Sequence, residues 1–499
     1  MDTLANVAHG FGVALTGINL LYCFIGVFIG TLVGVLPGIG PISAMSLLLP
    51  VTLSGTPESG IIMMAGMYYG SMYGGSTTSI LVNIPGEAAS VVTCIDGHQM
   101  AKQGRAGPAL GISAFGSFIA GTFALVALML VAPKLASIAI AFGPAEYFSL
   151  MVLGLIVLTF LTQGSMPKAL LMACIGVVLG LIGLDSITAQ PRLTFGRMEL
   201  IDGIGLVPVV MGLFGVAEVL LNTEQAIKRD IINAKITQLL PNKDDWQASA
   251  GPVARGTLLG FLLGILPGGG AVVASFASYA LEKRLSKSPE RFGHGAIEGV
   301  AGPESANNAA AGGAFIPLMT PPNVVMALLL GAFVIHGLQP GPLLITQNPG
   351  LFWGIVASMY IGNVMLLILN LPMIGMWVQL LKLPYNILFP LIILFTILGV
   401  YCSSNNVFDV YVMIAFGIIG YFMRKLGYEP APLVLAFVLG PMLENNLRKS
   451  LILSQGDLWT FVQRPISAAC LTLALVLLIA PLLPALRKKR ELVALDEGA

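Results

Sequence analysis

The chain has 499 residues, 56% of them hydrophobic and only 10% charged, with a mean hydropathy of +0.89 and a formal net charge of +1. Soluble domains carry about 25% charged residues, so the composition excludes an ordinary soluble domain and puts the chain in a membrane. The scattered basic residues leave no nucleic-acid footprint, and five cysteines without CxxC spacing (Cys23, Cys94, Cys174, Cys402, Cys470) imply neither a disulfide framework nor a thiolate metal site.

The start, Met1-Asp2-Thr3, lacks a basic n-region, and the apolar stretch from Phe11 to Leu36 is too long for a signal h-region, so a first membrane helix is predicted there. It breaks at Leu36-Pro37-Gly38-Ile39-Gly40, because proline lacks an N–H and glycine lets the backbone turn. Apolar runs follow at 41–53, 60–82, 109–132, 145–162, 167–184 and 203–221. Asn222 to Gln247, with Lys228, Arg229, Asp230, Lys235, Lys243, Asp244 and Asp245, reads as a solvated linker. The second half runs 255–281 (broken at Pro267), 309–338 (broken near Pro321), 351–377, 384–402, 407–423, 430–443 and 466–486. At roughly 20 residues per crossing these runs predict an all-α polytopic membrane protein of about 10 to 12 transmembrane segments, some broken or re-entrant. The expected organisation is a helix start at 1–24, a membrane repeat at 25–221, a polar cytoplasmic linker at 222–254, a second repeat at 255–460, and a last helix with a basic cytoplasmic tail at 461–499.

The case for a repeat rests on matched breaks. Gly30-Thr-Leu-Val-Gly-Val-Leu-Pro-Gly-Ile-Gly and Gly260-Phe-Leu-Leu-Gly-Ile-Leu-Pro-Gly-Gly-Gly agree at seven of eleven places, at an offset of 230. Pro85 pairs with Pro321 at 236, and Pro144 with Pro384 at 240. Basic residues favour the cytoplasm, so Arg487-Lys488-Lys489-Arg490, Arg424-Lys425 and the Lys228–Lys235 linker lie inside. Ser403 to Asn406 then falls outside and the equivalent Gln163 to Lys168 inside, which makes the two repeats inverted; parallel repeats are the alternative, since one mistaken half-span would reverse the orientation. Inverted repeats with broken helices mark secondary transporters, whose sites lie where the breaks meet.

Polar residues inside apolar surroundings supply the candidate site. Ser76-Thr77-Thr78-Ser79 behind Gly74-Gly75, followed by Asn83-Ile84-Pro85-Gly86, offers oxygens for a hard cation and free N–H groups for a carboxylate. The counterpart in the second half is Glu304-Ser305-Ala306-Asn307-Asn308, ending at Thr320-Pro321-Pro322-Asn323; Glu304 reads either as a helix N-cap or as a cation-coupling acid. The substrate-binding set is therefore Pro37, Gly38, Gly40, Ser76, Thr77, Thr78, Asn83 and Gly86 with Gly268, Gly269, Gly270, Ser305, Asn307 and Asn308. The cation-coupling set is Thr78, Asn83, Glu304, Asn308 and Thr320. Lys102, Arg105, Arg291 and His294 flank these stretches and read as topology signals. The four histidines lack HxxH or HExxH spacing, so zinc has little support; no cofactor is expected beyond Na⁺ or H⁺ as coupling ion.

The string from Gly30-Thr-Leu-Val-Gly-Val-Leu-Pro-Gly through Tyr73-Gly-Gly-Ser, Asn83-Ile-Pro-Gly-Glu and Asp96-Gly-His-Gln-Met-Ala to Pro303-Glu-Ser-Ala-Asn-Asn-Ala and His336-Gly-Leu-Gln-Pro-Gly-Pro resembles the large membrane subunit of tripartite tricarboxylate transporters. The resemblance covers nearly the whole chain. It implies cation-driven uptake of a citrate-like di- or tricarboxylate across the bacterial inner membrane, with a small membrane subunit and a periplasmic binding protein as partners and lipid around it. It leaves a homodimer open. Thr320-Pro321-Pro322-Asn323 departs from the family's usual Ile-Pro-Gly break, which puts the second half-site and the substrate in question. A channel for small anions would share the breaks but conduct without saturation, and an intramembrane hydrolase would need a Ser/His or paired-Asp constellation.

Overall fold

The computed structural model describes residues 3–36, 40–139, 142–161, 165–185, 187–224, 239–265, 270–315, 323–338, 344–381, 390, 393–394, 396–398, 400–401 and 405–479. Helices α1 (Thr3–Ala14), α2 (Gly17–Val35), α3 (Gly40–Thr52), α4 (Pro57–Val82), α5 (Val91–Lys102), α6 (Ala106–Ala139), α7 (Pro144–Leu161) and α8 (Met166–Gly180) are followed by a two-residue hairpin, β1 (Gly183–Leu184) and β2 (Pro191–Arg192). Next come α9 (Leu206–Val210), a π-helical stretch Met211–Val216 and α10 (Ala217–Glu224). The chain continues through α11 (Lys243–Ile265), α12 (Gly270–Leu285), α13 (Glu298–Gly313), α14 (Val324–Ile335), α15 (Leu344–Gln347), α16 (Pro349–Asn370) and α17 (Ile374–Leu380). It closes with α18 (Val407–Lys425), α19 (Ala431–Leu453), α20 (Thr460–Gln463) and α21 (Pro465–Ile479). Among the described residues five helices are long and apolar enough to cross a membrane: Gly17–Val35, Ala106–Lys134, Lys243–Ile265, Pro349–Asn370 and Val407–Lys425. Several shorter apolar helices accompany them. The protein is thus all-α and polytopic, as its composition requires.

Two compact units divide the chain, Met1–Ala139 with Gly205–Leu426 and Ile140–Ile204 with Gly427–Ala499, so each takes residues from both sequence halves. In the smaller unit, α8 sets Gly176 and Gly180 against the backbone carbonyls of Leu433 and Phe437 on α19. Its hairpin is pinned by Asp185, which accepts from the N–H groups of Ile187 and Thr188 at 2.8 and 2.7 Å and pairs with Arg192 and Arg448.

The larger unit is built on two helix pairs. Gly26, Gly30 and Gly34 of α2 lie over the carbonyls of Met63, Met67 and Ser71 of α4 so closely that any Cβ would overlap them. Gly256, Gly260 and Gly264 of α11 lie in the same way over Gly302, Ala306 and Ala310 of α13. Small residues every fourth position allow this approach, in which van der Waals packing replaces the hydrophobic drive that lipid cannot supply. The first helices of the pairs match at the offset of 230, whereas α4 and α13 match at 239, for Gly74 meets Thr31, Gly34 and Val35 as Gly313 meets Phe261, Gly264 and Ile265. The sequence-derived offset of 236 concerns the breaks that follow these helices, Pro85 with Pro321. Pro321, on which the 236 pairing rested, lies outside the described residues.

Both inner helices are enclosed. From Ser59 to Val82 every residue of α4 is buried, and so is every residue of α13 from Gly299 to Gly313. A helix buried all round has no lipid-facing stripe, which is why its polar residues need no periodicity. Thr56 caps the start of α4, and Asn83, in the left-handed conformation at φ 59°, ends it. The first turn of α11 is held by a reciprocal cap, the Asp245 N–H donating to Asn242 Oδ1 at 2.7 Å and the Asn242 N–H to Asp245 Oδ2 at 3.2 Å. The helix therefore begins at Lys243, inside the stretch read as linker.

Candidate functional site

Glu304 stands in the interior of α13, six residues past the helix start, so it is not the N-cap that one reading of the sequence allowed. It is 1% exposed. Its Oε2 accepts from Ser76 Oγ of α4 at 2.6 Å and Ser113 Oγ of α6 at 3.1 Å, and its Oε1 from Thr93 Oγ1 of α5. Four helices thus converge on one carboxylate, and every side chain that hydrogen-bonds it among the described residues is an uncharged hydroxyl. A buried ionised carboxylate without a cation costs several kcal/mol even with good hydrogen bonds, so it persists where a positive charge joins it or a proton neutralises it.

Further along the same face, Asn308 Nδ2 donates to Ser117 Oγ at 2.7 Å and Asn307 Nδ2 to Glu87 Oε1 at 2.8 Å. The Oδ1 atoms of Asn307 and Asn308 and the Oγ of Ser305 are buried without a hydrogen-bond partner. Native proteins seldom leave such oxygens empty unless a ligand or water completes them. The two inner helices also exchange contacts. At the offset of 239 Tyr68 is the counterpart of Asn307; Asn307 holds Glu87 in the loop after α4, while the Tyr68 hydroxyl accepts from Asn323 Nδ2 at 2.8 Å in the loop before α14.

The residues expected from the sequence fall into three groups. Ser76, Glu304, Ser305, Asn307 and Asn308 lie in or beside the carboxylate cluster. Ser76 to Ser79 sit within continuous α4 rather than at a break, and of the four only Ser76 hydrogen-bonds the Glu304 carboxylate. Thr77 Oγ1 turns to the Tyr73 carbonyl at 3.5 Å, Ser79 Oγ to Gly75 at 2.9 Å, and Thr78 Oγ1 to the carbonyls of Gly34 and Val35 at 3.1 and 3.0 Å, where α2 ends. Asn83 is an exposed helix cap, and Gly86 is pressed against the Gly34 carbonyl and Gly75 Cα. Gly40 and Gly270 open α3 and α12. Pro37, Gly38, Gly268, Gly269 and Thr320 lie outside the described residues.

Sequence reasoning passed over Thr93, Ser113, Ser117 and Glu87. Ser113 and Ser117 stand four apart in an apolar run, a spacing that puts both on one helix face and could have marked them. It also passed over Asp96, which is fully buried on α5. Asp96 Oδ1 accepts the N–H groups of Gly293, Gly295 and Ala296 at 2.9, 2.8 and 2.9 Å, and its Oδ2 the Tyr279 hydroxyl at 2.9 Å. One turn from Thr93, it fixes the chain entering α13 and so positions α5 and α13 for the Thr93–Glu304 bond. Nearby on α5, burial lowers the His98 imidazole from its ordinary value, and its Nδ1–H donates to the Ile80 carbonyl at 3.1 Å. Tyr73 closes the other side, donating to Asn363 Oδ1 on α16 at 2.8 Å.

Enclosed polar helices wrapped by apolar spanning helices define a multi-pass membrane protein with a carboxylate at its centre. Residues 20–435 match the model of the tripartite tricarboxylate transporter TctA family, and the chain belongs to that family: it is a tricarboxylate transporter subunit. The 52.8 kDa protein of the TAR-I ttuC' 3' region of Agrobacterium vitis is 53% identical over 500 residues, covering 100% of both chains. A second protein of that organism, from the TAR-II ttuC' 3' region, is 58% identical over 241 residues, 48% of this chain and 100% of its own length. No solved structure matches the chain.

Proposed function

We propose that the chain is the large membrane subunit of a secondary active transporter that takes up a citrate-like di- or tricarboxylate across the bacterial inner membrane. A periplasmic binding protein supplies the substrate, a small membrane subunit completes the assembly, and Na⁺ or H⁺ moves with it. The chain acts as a carrier rather than an enzyme, with two inverted repeats meeting at the site.

One observation carries this reading: the Glu304 carboxylate is buried among the hydroxyls of Ser76, Thr93 and Ser113, with the orphaned oxygens of Asn307 and Asn308 on the same helix and no basic partner among the described residues. Such a set of oxygens takes a small hard cation or a proton, and either would remove the charge penalty of the acid. The carboxylate substrate would then meet helix ends and the co-bound cation rather than a buried arginine. The test is uptake by cells carrying the complete system with Glu304→Gln in this subunit. Cation-stimulated uptake falls by at least about 100-fold if the coupling site is here; uptake that keeps its full response to the cation gradient refutes the assignment.

A further inference from the structure

Glu304 is enclosed, so a cation must reach it through other groups, and one acid near it is less deeply buried. Glu87 is only partly buried, between exposed Asn83 and exposed Ala88. Its position is fixed: Gly86 is wedged against α2 and α4, and Ser90 Oγ accepts the Glu87 N–H at 3.3 Å and donates to the Glu87 carbonyl at 2.9 Å. Oε1 accepts from Asn307 Nδ2, while the other amide atom, Asn307 Oδ1, is buried without a partner on a residue that is 1% exposed. Asn307 stands three positions after Glu304 on α13, a spacing that sets both on one face of the helix.

We propose that Glu87 and the Asn307 amide oxygen form a second station for a small monovalent cation, on the accessible side of the Glu304 pocket. The cation exchanges part of its hydration shell for Glu87 Oε and Asn307 Oδ1, then passes along α13 to Glu304. No covalent bond changes. The corresponding contact of the other half, Tyr68 with Asn323, has no carboxylate, so the station exists on one side alone. This rests on the reading of Glu304 as the coupling acid.

The test measures substrate uptake in proteoliposomes holding the complete transport system. Na⁺ is titrated at fixed pH in one arm, and pH is varied without Na⁺ in the other, so that the two ions are told apart. Glu87→Gln keeps the shape and can still accept from Asn307. It is expected to raise the half-saturating cation concentration about tenfold, with uptake at saturating cation within about twofold of the unmodified protein. Asn307→Ser, which replaces the amide by a shorter hydroxyl and so withdraws the oxygen, shifts the same quantity in the same direction. Unchanged half-saturation in both variants overturns the second station while leaving Glu304 standing. Loss of maximal uptake in Glu87→Gln without a shift in half-saturation overturns it as well. Cation dependence that survives Glu304→Gln instead overturns the reading on which the proposal rests.

Discussion

Helices α4 and α13 are the same backbone element with different chemistry. Each lies beneath a neighbour whose glycines touch its carbonyls, and each is buried along nearly its whole length. Yet where α13 has Glu304, Asn307 and Asn308, the register of 239 gives α4 Ala65, Tyr68 and Tyr69. The close helix contact demands small residues in both copies, because a carbonyl at van der Waals distance leaves no room for Cβ. The positions facing the centre carry no such demand, so one copy is aromatic there and the other acidic and amidic. α4 compensates with Ser76, one turn beyond Tyr73, which reaches over to the acid of α13. The comparison separates scaffold from chemistry: what is alike in the halves packs, and what differs carries the polar groups.

The scaffold side of the comparison breaks first. Gly30→Val and Gly260→Val each force a side chain into a backbone carbonyl, and each is expected to destabilise by more than about 3 kcal/mol, seen as loss of folded protein in detergent thermal unfolding. Gly12→Ala, with open space around it, changes stability by less than about 1 kcal/mol. If only one of the two valine variants unfolds, the pairs are not equivalent. Asp96→Ala is next, because three backbone N–H groups and the Tyr279 hydroxyl lose their acceptor; about 3 kcal/mol of stability should disappear.

Smaller effects sharpen the chemical side. Tyr68→Phe strands Asn323 Nδ2 and lowers stability by about 1 kcal/mol, with the cation response of uptake unchanged. Asn307→Ser, its counterpart, alters that response. Smallest of all is Thr77→Ala: a 3.5 Å bond to the helix's own carbonyl contributes little, so both stability and uptake stay within measurement scatter, whereas Ser76→Ala reduces uptake.

Much of this was legible beforehand, for physical reasons. The Leu-Pro-Gly strings stop helices by covalent geometry, and the structure ends α2 at Val35 and α11 at Ile265, just before them. The glycines at 26, 30 and 34 and at 256, 260 and 264 repeat at helical spacing, so the offset of 230 was visible in the letters. The offset of the inner helices was not, since α4 and α13 share few letters at 239 and only the contacts of their small residues reveal it. The hydroxyls of Ser76 to Ser79 looked alike in sequence, and only the direction each takes from α4 singles out Ser76. Thr93 and Glu87 were hidden because a buried partner more than 200 positions away gives a threonine or a glutamate no local signature. The shift from linker to helix at Lys243 reflects charged residues that cap a membrane helix as readily as they solvate a loop.

The central claim is that Glu304 holds the cation. A ligand that binds only the folded protein raises its unfolding temperature. The decisive measurement is therefore thermal unfolding of the purified full chain in detergent, against Na⁺ concentration at fixed pH and against pH without Na⁺, for the unmodified protein and Glu304→Gln. The account predicts that one of the two titrations stabilises the unmodified protein and that Glu304→Gln abolishes this response. An equal response from both proteins would contradict it.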